Sequence, residues 1–274
     1  MPAITPNHYT TVLTIAGFDG SGGAGIQADL KTFAALECYG LSIVTGITAQ
    51  NTRGVRSSVA LSSAFVTEQF ETLADDIEIH AIKIGMVPSA STVQAIAAAL
   101  RSHLPIPVIL DTVLKSSGGM ELVPADAKFP IVKELFPLTA LVTPNLPEAA
   151  ELAGLDNVPE SKNDIEKTAE ILRTNKAAAV LIKGGHMEGD FCEDYLLSER
   201  GGQWLSSPRV PTKNTHGTGC TLSSAIAAYM AKGFDLDEAV RKGRLFTVEA
   251  LKAGSQFSLG KGAGPLHHFY RWWD

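Results

Sequence analysis

Cys220 follows Gly217-Thr218-Gly219 and stands at the start of an amphipathic pattern, TLSSAIAAYMAKG. Glycines let a chain turn tightly, and the first N–H groups of a helix have no intrahelical acceptor. Together with the helix dipole they make a place for an anion, such as the charge that develops on a phosphoryl group during transfer. A thiol in that place is expected to have a lowered pKa. The same letters also describe a plain glycine turn before a helix, with a buried cysteine.

A second glycine cluster lies near the N-terminus. Gly20, Gly22, Gly23 and Gly25 sit in GSGGAG, between a strand-like run, TVLTIAG, and a helical pattern, IQADLKTFAALE. These letters fit G-x-G-x-x-G, the loop that carries a dinucleotide in a Rossmann fold. That reading also needs an Asp or Glu at the end of the second strand, and the run there ends GITAQN, without an acid. No Lys-Ser/Thr closes the loop, so it is not a Walker A turn either. Two readings stay open: a ligand-free turn, or a loop whose glycines let backbone approach a small substrate.

Other polar residues stand where apolar runs end. Gln50-Asn51 follow ITA, Asp111 follows VIL, Asn145 follows LVTP, and Lys183-Gly184-Gly185-His186 follow VLI. Ligands of open α/β sheets bind beyond the carboxyl ends of the strands, where these groups would collect.

The elements that must position them alternate. Strand-like Val/Ile/Leu runs are followed by helical patterns near 24–36 and 65–76, then by SASTVQAIAAALR, PADAKFPIVKELF, PEAAELA and NDIEKTAEILRTN; a β-rich stretch with DYLLSE and QWLSSPRV precedes the last two helices. Such βα alternation predicts a mostly parallel sheet covered on both faces. No internal repeat, low-complexity tract or long linker interrupts it, so residues 1–274 are expected to form one domain.

Composition narrows the function. The chain has 274 residues, 45% apolar and 19% charged, enough for a sizeable core, and its net charge is −6. No basic face points to nucleic acid as a partner. No apolar run reaches the ~18 residues that span a bilayer, and the uncharged start does not read as a signal peptide. Cys38, Cys192 and Cys220 are odd in number and far apart in sequence, which suits reduced thiols in the cytoplasm. Cys38 and Cys192 lack the setting of Cys220 and read as packing residues. His186, His216, His267 and His268 show no zinc spacing and receive no catalytic role.

Eight blocks then follow one another: LTIAGFDGSGGAGIQADLKTFAALECYG, TAQNT, KIGM, LDTV, TPNLPEA, IKGGH, TKNTHGTGC and GKGAGPLHHF. Through them residues 11–271 resemble the hydroxymethylpyrimidine/phosphomethylpyrimidine kinases of thiamine biosynthesis, members of the ribokinase-like superfamily. The resemblance implies a three-layer α/β/α sandwich with a mostly parallel central sheet. It implies ATP-dependent phosphorylation of 4-amino-5-hydroxymethyl-2-methylpyrimidine and then of its monophosphate. It places the first glycine loop on the substrate side.

By the same resemblance Cys220 is the general base, and the N–H groups of Gly217, Thr218, Gly219 and Cys220 hold the γ-phosphate. Gln50 reads the pyrimidine, since an amide offers a donor and an acceptor together, although it also suits a strand-end cap. Ala24, Asp29, Met86 and Val113 correspond to substrate-side positions, although Met86 also suits plain core filling. Asn145 and Glu148 match the motif that holds Mg²⁺ and phosphate; a lone Glu at a helix start also suits the dipole. Asp111 assists the metal, and Lys183 neutralises phosphate charge. Phe18 stands where a small residue is common and is expected at the mouth of the site. ATP and Mg²⁺ are the implied cofactors, and a homodimer is carried as the assembly to test. Two rivals remain: a pyridoxal-type kinase on the same fold, and a non-catalytic pyrimidine-binding protein, which should have lost Cys220, Glu148 or the G-T-G turn.

Overall fold

The computed structural model describes residues 8–103, 105–116, 118–185 and 189–273. Nine strands form one sheet in the order β3-β2-β1-β4-β5-β6-β7-β8-β9. They are β1 (Thr11–Asp19), β2 (Tyr39–Asn51), β3 (Gly54–Ala60), β4 (Ala81–Ile84), β5 (Val108–Leu110), β6 (Leu141–Val142), β7 (Val180–Ile182), β8 (Phe191–Ser198) and β9 (Gly201–Pro208). The run from β2 through β7 is parallel, and β3, β8 and β9 extend it antiparallel at the two edges. The expected mostly parallel central sheet is therefore present.

Helices cover both faces, and strand periodicity decides what each face receives. In β1, Leu13 and Ile15 face α2 (Ser63–Asp76), α3 (Ala90–Arg101), α4 (Ala125–Pro130), α5 (Leu146–Ala153) and α6 (Lys162–Thr174), while Val12 faces α1 (Gly25–Ala35), α7 (Thr218–Ala231) and α8 (Leu236–Gly254). β5 repeats this, with Val108 and Leu110 on the first side and Ile109 on the second. Burial of side chains such as Phe33, Phe136 and Phe246 contributes ~1.5–3 kcal/mol each.

Two expectations shift in detail. PADAKFPIVKELF is not one α-helix: after α4 come a π turn at Ile131–Leu135 and a 3₁₀ turn at Phe136–Leu138. Pro130 and Pro137 lack the N–H groups that a regular ladder would use. The last-but-one helix begins at Thr218, so Thr218, Gly219 and Cys220 make up its first turn. Gly217 is the N-cap at φ 84°, a left-handed conformation that glycine adopts without strain.

Candidate active site

A cleft of about 740 Å³ lies beyond the carboxyl ends of the parallel strands. Ala24, Gln50, Met86 and Val113 line one end; Asp111, Asn145, Glu148, Lys183 and the turn of residues 217–220 line the middle; Val210, Val248 and Leu251 line the far end. The expected site residues are brought together with one exception, Asp29.

Asp29 sits on the buried face of α1, with no exposure at all. One carboxylate oxygen accepts from Thr14 Oγ1 (2.6 Å) and Lys83 Nζ (2.9 Å), the other from Ser224 Oγ (2.7 Å) and Lys83 Nζ (3.0 Å). The expected substrate contact is thus corrected: Asp29 spends its acceptors on the protein and does not line the cleft. The strand register explains the arrangement. Thr14 pairs with Lys83 across β1 and β4, on the face that α1 and α7 cover. Lys83 is fully buried and its ammonium reaches the cleft floor. Burial opposes its charge, but the Asp29 carboxylate and the acidic groups nearby override this and raise its pKa.

Cys220 stands above this pair in the cleft wall, with Gly25 N–H directed at its sulfur. Burial pushes the thiol up to about 11; the charges of Asp29 and Asp111 add to this, and Lys83 and the Gly25 N–H oppose it. The expectation of a lowered pKa is therefore reversed. Burial leads and the two carboxylates add to it, so the protonated thiol is the main form at neutral pH.

The first turn of α7 supplies donors. Thr218 N–H is directed at the Thr215 carbonyl (3.3 Å), whereas among the described residues Gly219 and Cys220 N–H have no backbone acceptor. Lys183 Nζ lies 2.8 Å from Asp111 Oδ1, which also accepts from Thr143 Oγ1 at 3.2 Å. Burial works to raise the Asp111 pKa, but Lys183 and Lys83 hold it below the usual range. Glu148 and Asn145 form a capping box at the start of α5, each side chain accepting the other's backbone N–H at 2.9 Å. Sequence reading offered a helix-start partner or a metal ligand; the structure places this carboxylate in the cap and in the cleft wall at once. Burial, followed by the like charge of Asp111, raises its pKa despite Lys183. Two carboxylates in one wall suit Mg²⁺, which takes few carboxylates together with waters and phosphate oxygens. No cluster of three or more His, Cys, Asp or Glu suited to a metal occurs among the described residues.

At the other end Phe18 is part-exposed on the cleft rim, as expected. Met86 closes against Gly17, where an added Cβ would meet Met86 Cε at 2.5 Å, so it is wall and packing together. His216, given no role from sequence, lines this end. Its Nε2 lies 2.8 Å from Asp19 Oδ2 and 3.1 Å from Gln50 Nε2. Burial works to raise the Asp19 pKa, yet hydrogen bonds from His216, Ser21 and Ala24 hold it down to about 2. His268 is buried against Thr221 Oγ1 (3.0 Å), and burial lowers its pKa to about 3. His186 lies outside the described residues. Cys38 is a core residue as expected, whereas Cys192 borders the far end of the cleft.

Lys83, Asp19 and His216 are the groups that sequence reading missed. Lys83 had a signal: a cation inside an otherwise apolar strand, AIKIGM. Such a charge needs a buried partner. His216 had none, because its partners come from β1 and β2, far away in sequence.

A family model described as phosphomethylpyrimidine kinase matches residues 19–267. The chain is similar to a protein of Rhizobium meliloti (strain 1021) named hydroxymethylpyrimidine/phosphomethylpyrimidine kinase, with 44% identity covering 95% of this chain and 97% of that one. Among solved structures it is similar to a phosphomethylpyrimidine kinase from Clostridium difficile 630, with TM-score 0.78 and 39% identity over 88% of this chain and 99% of that one. A Bacillus subtilis pyridoxal kinase in an ADP complex superimposes with TM-score 0.88 at 32% identity, covering 95% and 98% of the two chains.

Proposed function

The chain belongs to the phosphomethylpyrimidine kinase family, and on that premise we propose how its cleft transfers the γ-phosphoryl group of ATP in two successive steps. The enzyme is a phosphotransferase of thiamine biosynthesis. It phosphorylates 4-amino-5-hydroxymethyl-2-methylpyrimidine and then the resulting monophosphate. The observation that carries the residue-level reading is that one cleft is lined together by the Gln50 amide, by the Cys220 thiol with Gly219 and Cys220 N–H groups that have no backbone acceptor among the described residues, and by a carboxylate–lysine wall.

In the first step the hydroxymethyl oxygen attacks the γ-phosphorus. Its proton goes to the Cys220 thiolate, the bond to the ADP oxygen breaks, and ADP leaves. Gly219 and Cys220 N–H, together with the other groups of the turn, meet the oxygens of the transferring group. Lys183 offsets their charge. This suits a reaction that depends on positioning and charge neutralisation. Gln50 orients the ring against Ala24, Met86 and Val113. Glu148 and Asp111 would hold Mg²⁺, with Asn145 on the phosphate side; the ion, when bound, supplies charge screening between donor and acceptor. In the second step the attacking oxygen belongs to a phosphate already ionised near neutral pH, so no base is needed. We read residues 1–274 as one kinase domain acting in the cytoplasm, with a homodimer as the assembly to test. No helix among the described residues is long and apolar enough to cross a membrane.

The decisive experiment is ATP consumption measured with the hydroxymethylpyrimidine, its monophosphate and pyridoxal in turn. Turnover of the first two supports the assignment. Turnover of pyridoxal alone would replace it with the reading that the likeness to pyridoxal kinase favours.

The raised thiol pKa adds a prediction. Only the thiolate accepts a proton, and with a pKa of about 11 it is a minor form at neutral pH that grows as pH rises. The alcohol step is therefore expected to accelerate from about pH 6.5 to about 9, approaching tenfold per unit, while the monophosphate step stays nearly flat. Initial rates for each acceptor across this range check it. A flat profile for the alcohol would remove the thiolate from the mechanism.

A further inference from the structure

His216, Asp19, Gln50 and Thr48 form a chain of polar contacts at the substrate end. The Asp19 carboxylate is ionised and can only accept. His216 Nε2, 2.8 Å away, must therefore carry a proton and point it at Asp19 Oδ2. That nitrogen has no lone pair left for an N–H of Gln50, which lies 3.1 Å away. At the other end of the amide, Thr48 Oγ1 lies 2.9 Å from the Phe18 carbonyl and 3.2 Å from Gln50 Oε1. The Phe18 carbonyl can only accept, so the single Thr48 proton is directed there, and toward Gln50 the hydroxyl offers a lone pair. With Nε2 toward His216 and Oε1 toward Thr48, donor would face donor and acceptor would face acceptor. Turning the amide over removes both conflicts: the oxygen lies beside the His216 N–H, which it shares with the nearer Asp19 Oδ2 in a three-centre contact, and the nitrogen donates to the Thr48 lone pair. Oxygen and nitrogen of an amide exchange places on such grounds.

We infer that His216 and Thr48 are specificity-determining positioning residues, which lock the Gln50 amide with its oxygen toward His216 and its nitrogen toward Thr48. The amide nitrogen then has the Thr48 acceptor and one N–H left for a ligand, and the oxygen, beside the shared His216 N–H, keeps a lone pair for one: an acceptor on the His216 side and a donor on the Thr48 side. A ring that offers an exocyclic amino group beside an unprotonated ring nitrogen fits this edge in one orientation, with the amino group toward His216. A ring with an exocyclic oxygen beside a ring N–H meets the opposite pattern and is rejected, because the amide cannot turn to suit it. This deepens, and rests on, the pyrimidine reading of the same cleft.

The test has two arms. Initial rates are measured for the 4-amino substrate and its 4-oxo analogue with the wild type, His216→Leu and Thr48→Val. The wild type is expected to favour the amino compound by roughly 10²-fold or more in kcat/KM. In His216→Leu the amide is free to turn, and the preference is expected to fall at least about tenfold, chiefly through KM for the acceptor, with KM for ATP unchanged. Thr48→Val, close in shape, should move the preference the same way by less. An undiminished preference in both folded variants overturns the inference. A wild type that phosphorylates neither pyrimidine overturns the proposed function instead. The second arm needs neither variant nor substrate: neutron diffraction on deuterated crystals should show the Gln50 deuterons facing Thr48 and one on His216 Nε2 facing Asp19. Gln50 deuterons facing His216 would overturn the lock directly.

Discussion

Cys220→Ala is expected to lower kcat for the alcohol step, most strongly toward about pH 9 where the thiolate grows, by up to ~10²–10⁴-fold, the usual cost of a lost proton acceptor, while pyrimidine binding persists. The loss should be unequal between the two acceptors. The hydroxymethyl group must surrender a proton as it attacks, whereas the monophosphate brings an oxygen already ionised near neutral pH. Its rate should fall much less. Lys183→Ala is the converse case, because two anions must approach one another in the second step; it should slow that step at least as much as the first. Cys220→Asp should retain more alcohol activity than the alanine variant, since a carboxylate can also accept a proton. Separate initial rates on the two acceptors decide the matter. Equal proportional losses in Cys220→Ala would assign the thiol to the anion hole or to packing, and near-wild-type turnover would strip it of any chemical part.

The largest structural effect is expected from Lys83→Met. Methionine fills similar space but leaves the Asp29 carboxylate buried without its cation, held only by Thr14 and Ser224. Breaking a buried pair from one side typically costs about 3–5 kcal/mol. Replacing both partners, as Lys83→Met with Asp29→Leu, should recover much of that, because no stranded charge remains. Urea unfolding of the single and double variants measures both. A single variant within about 1 kcal/mol of wild type would mean that the Lys83–Asp29 pair contributes little to stability. The same substitution withdraws the positive charge that opposes the raised Cys220 pKa. The alkaline rise of the alcohol step should then begin at higher pH in whatever folded enzyme remains.

The sheet and the position of the cleft were legible because both follow from patterns that are local along the chain. Val/Ile/Leu runs ending in Gln50, Asp111, Asn145 and Lys183 place polar groups at strand ends, and parallel pairing brings those ends together. The turn before α7 was equally local. What could not be read was the state of the groups once assembled. The Cys220 pKa depends on Lys83, Asp29 and Asp111, which arrive from β4, α1 and the end of β5. Its sign comes from competition among them and burial, not from the helix start alone. Asp29 misled for a related reason. It lies in a helix near the substrate loop, but its neighbours Ile26, Ala28, Thr32 and Phe33 mark the buried face of that helix. Helical periodicity read together with the lysine inside β4 would have paired the two charges. His216 stayed silent because its meaning rests on Asp19 and Gln50, contacts that no local pattern encodes.

The two glycine turns meet through backbone. An added Cβ on Gly217 would run into the Gly23 carbonyl oxygen. The spacing between the acceptor side and the transfer side is thus set by main chain against main chain. Phe18, Gln50, Met86 and Val113 line the acceptor side, and none of them forms that backbone contact. In evolutionary terms the transfer geometry is insulated from drift in acceptor preference. A lineage built on this frame can trade one hydroxymethylated ring for another by a few substitutions, and a catalyst need not be reinvented each time.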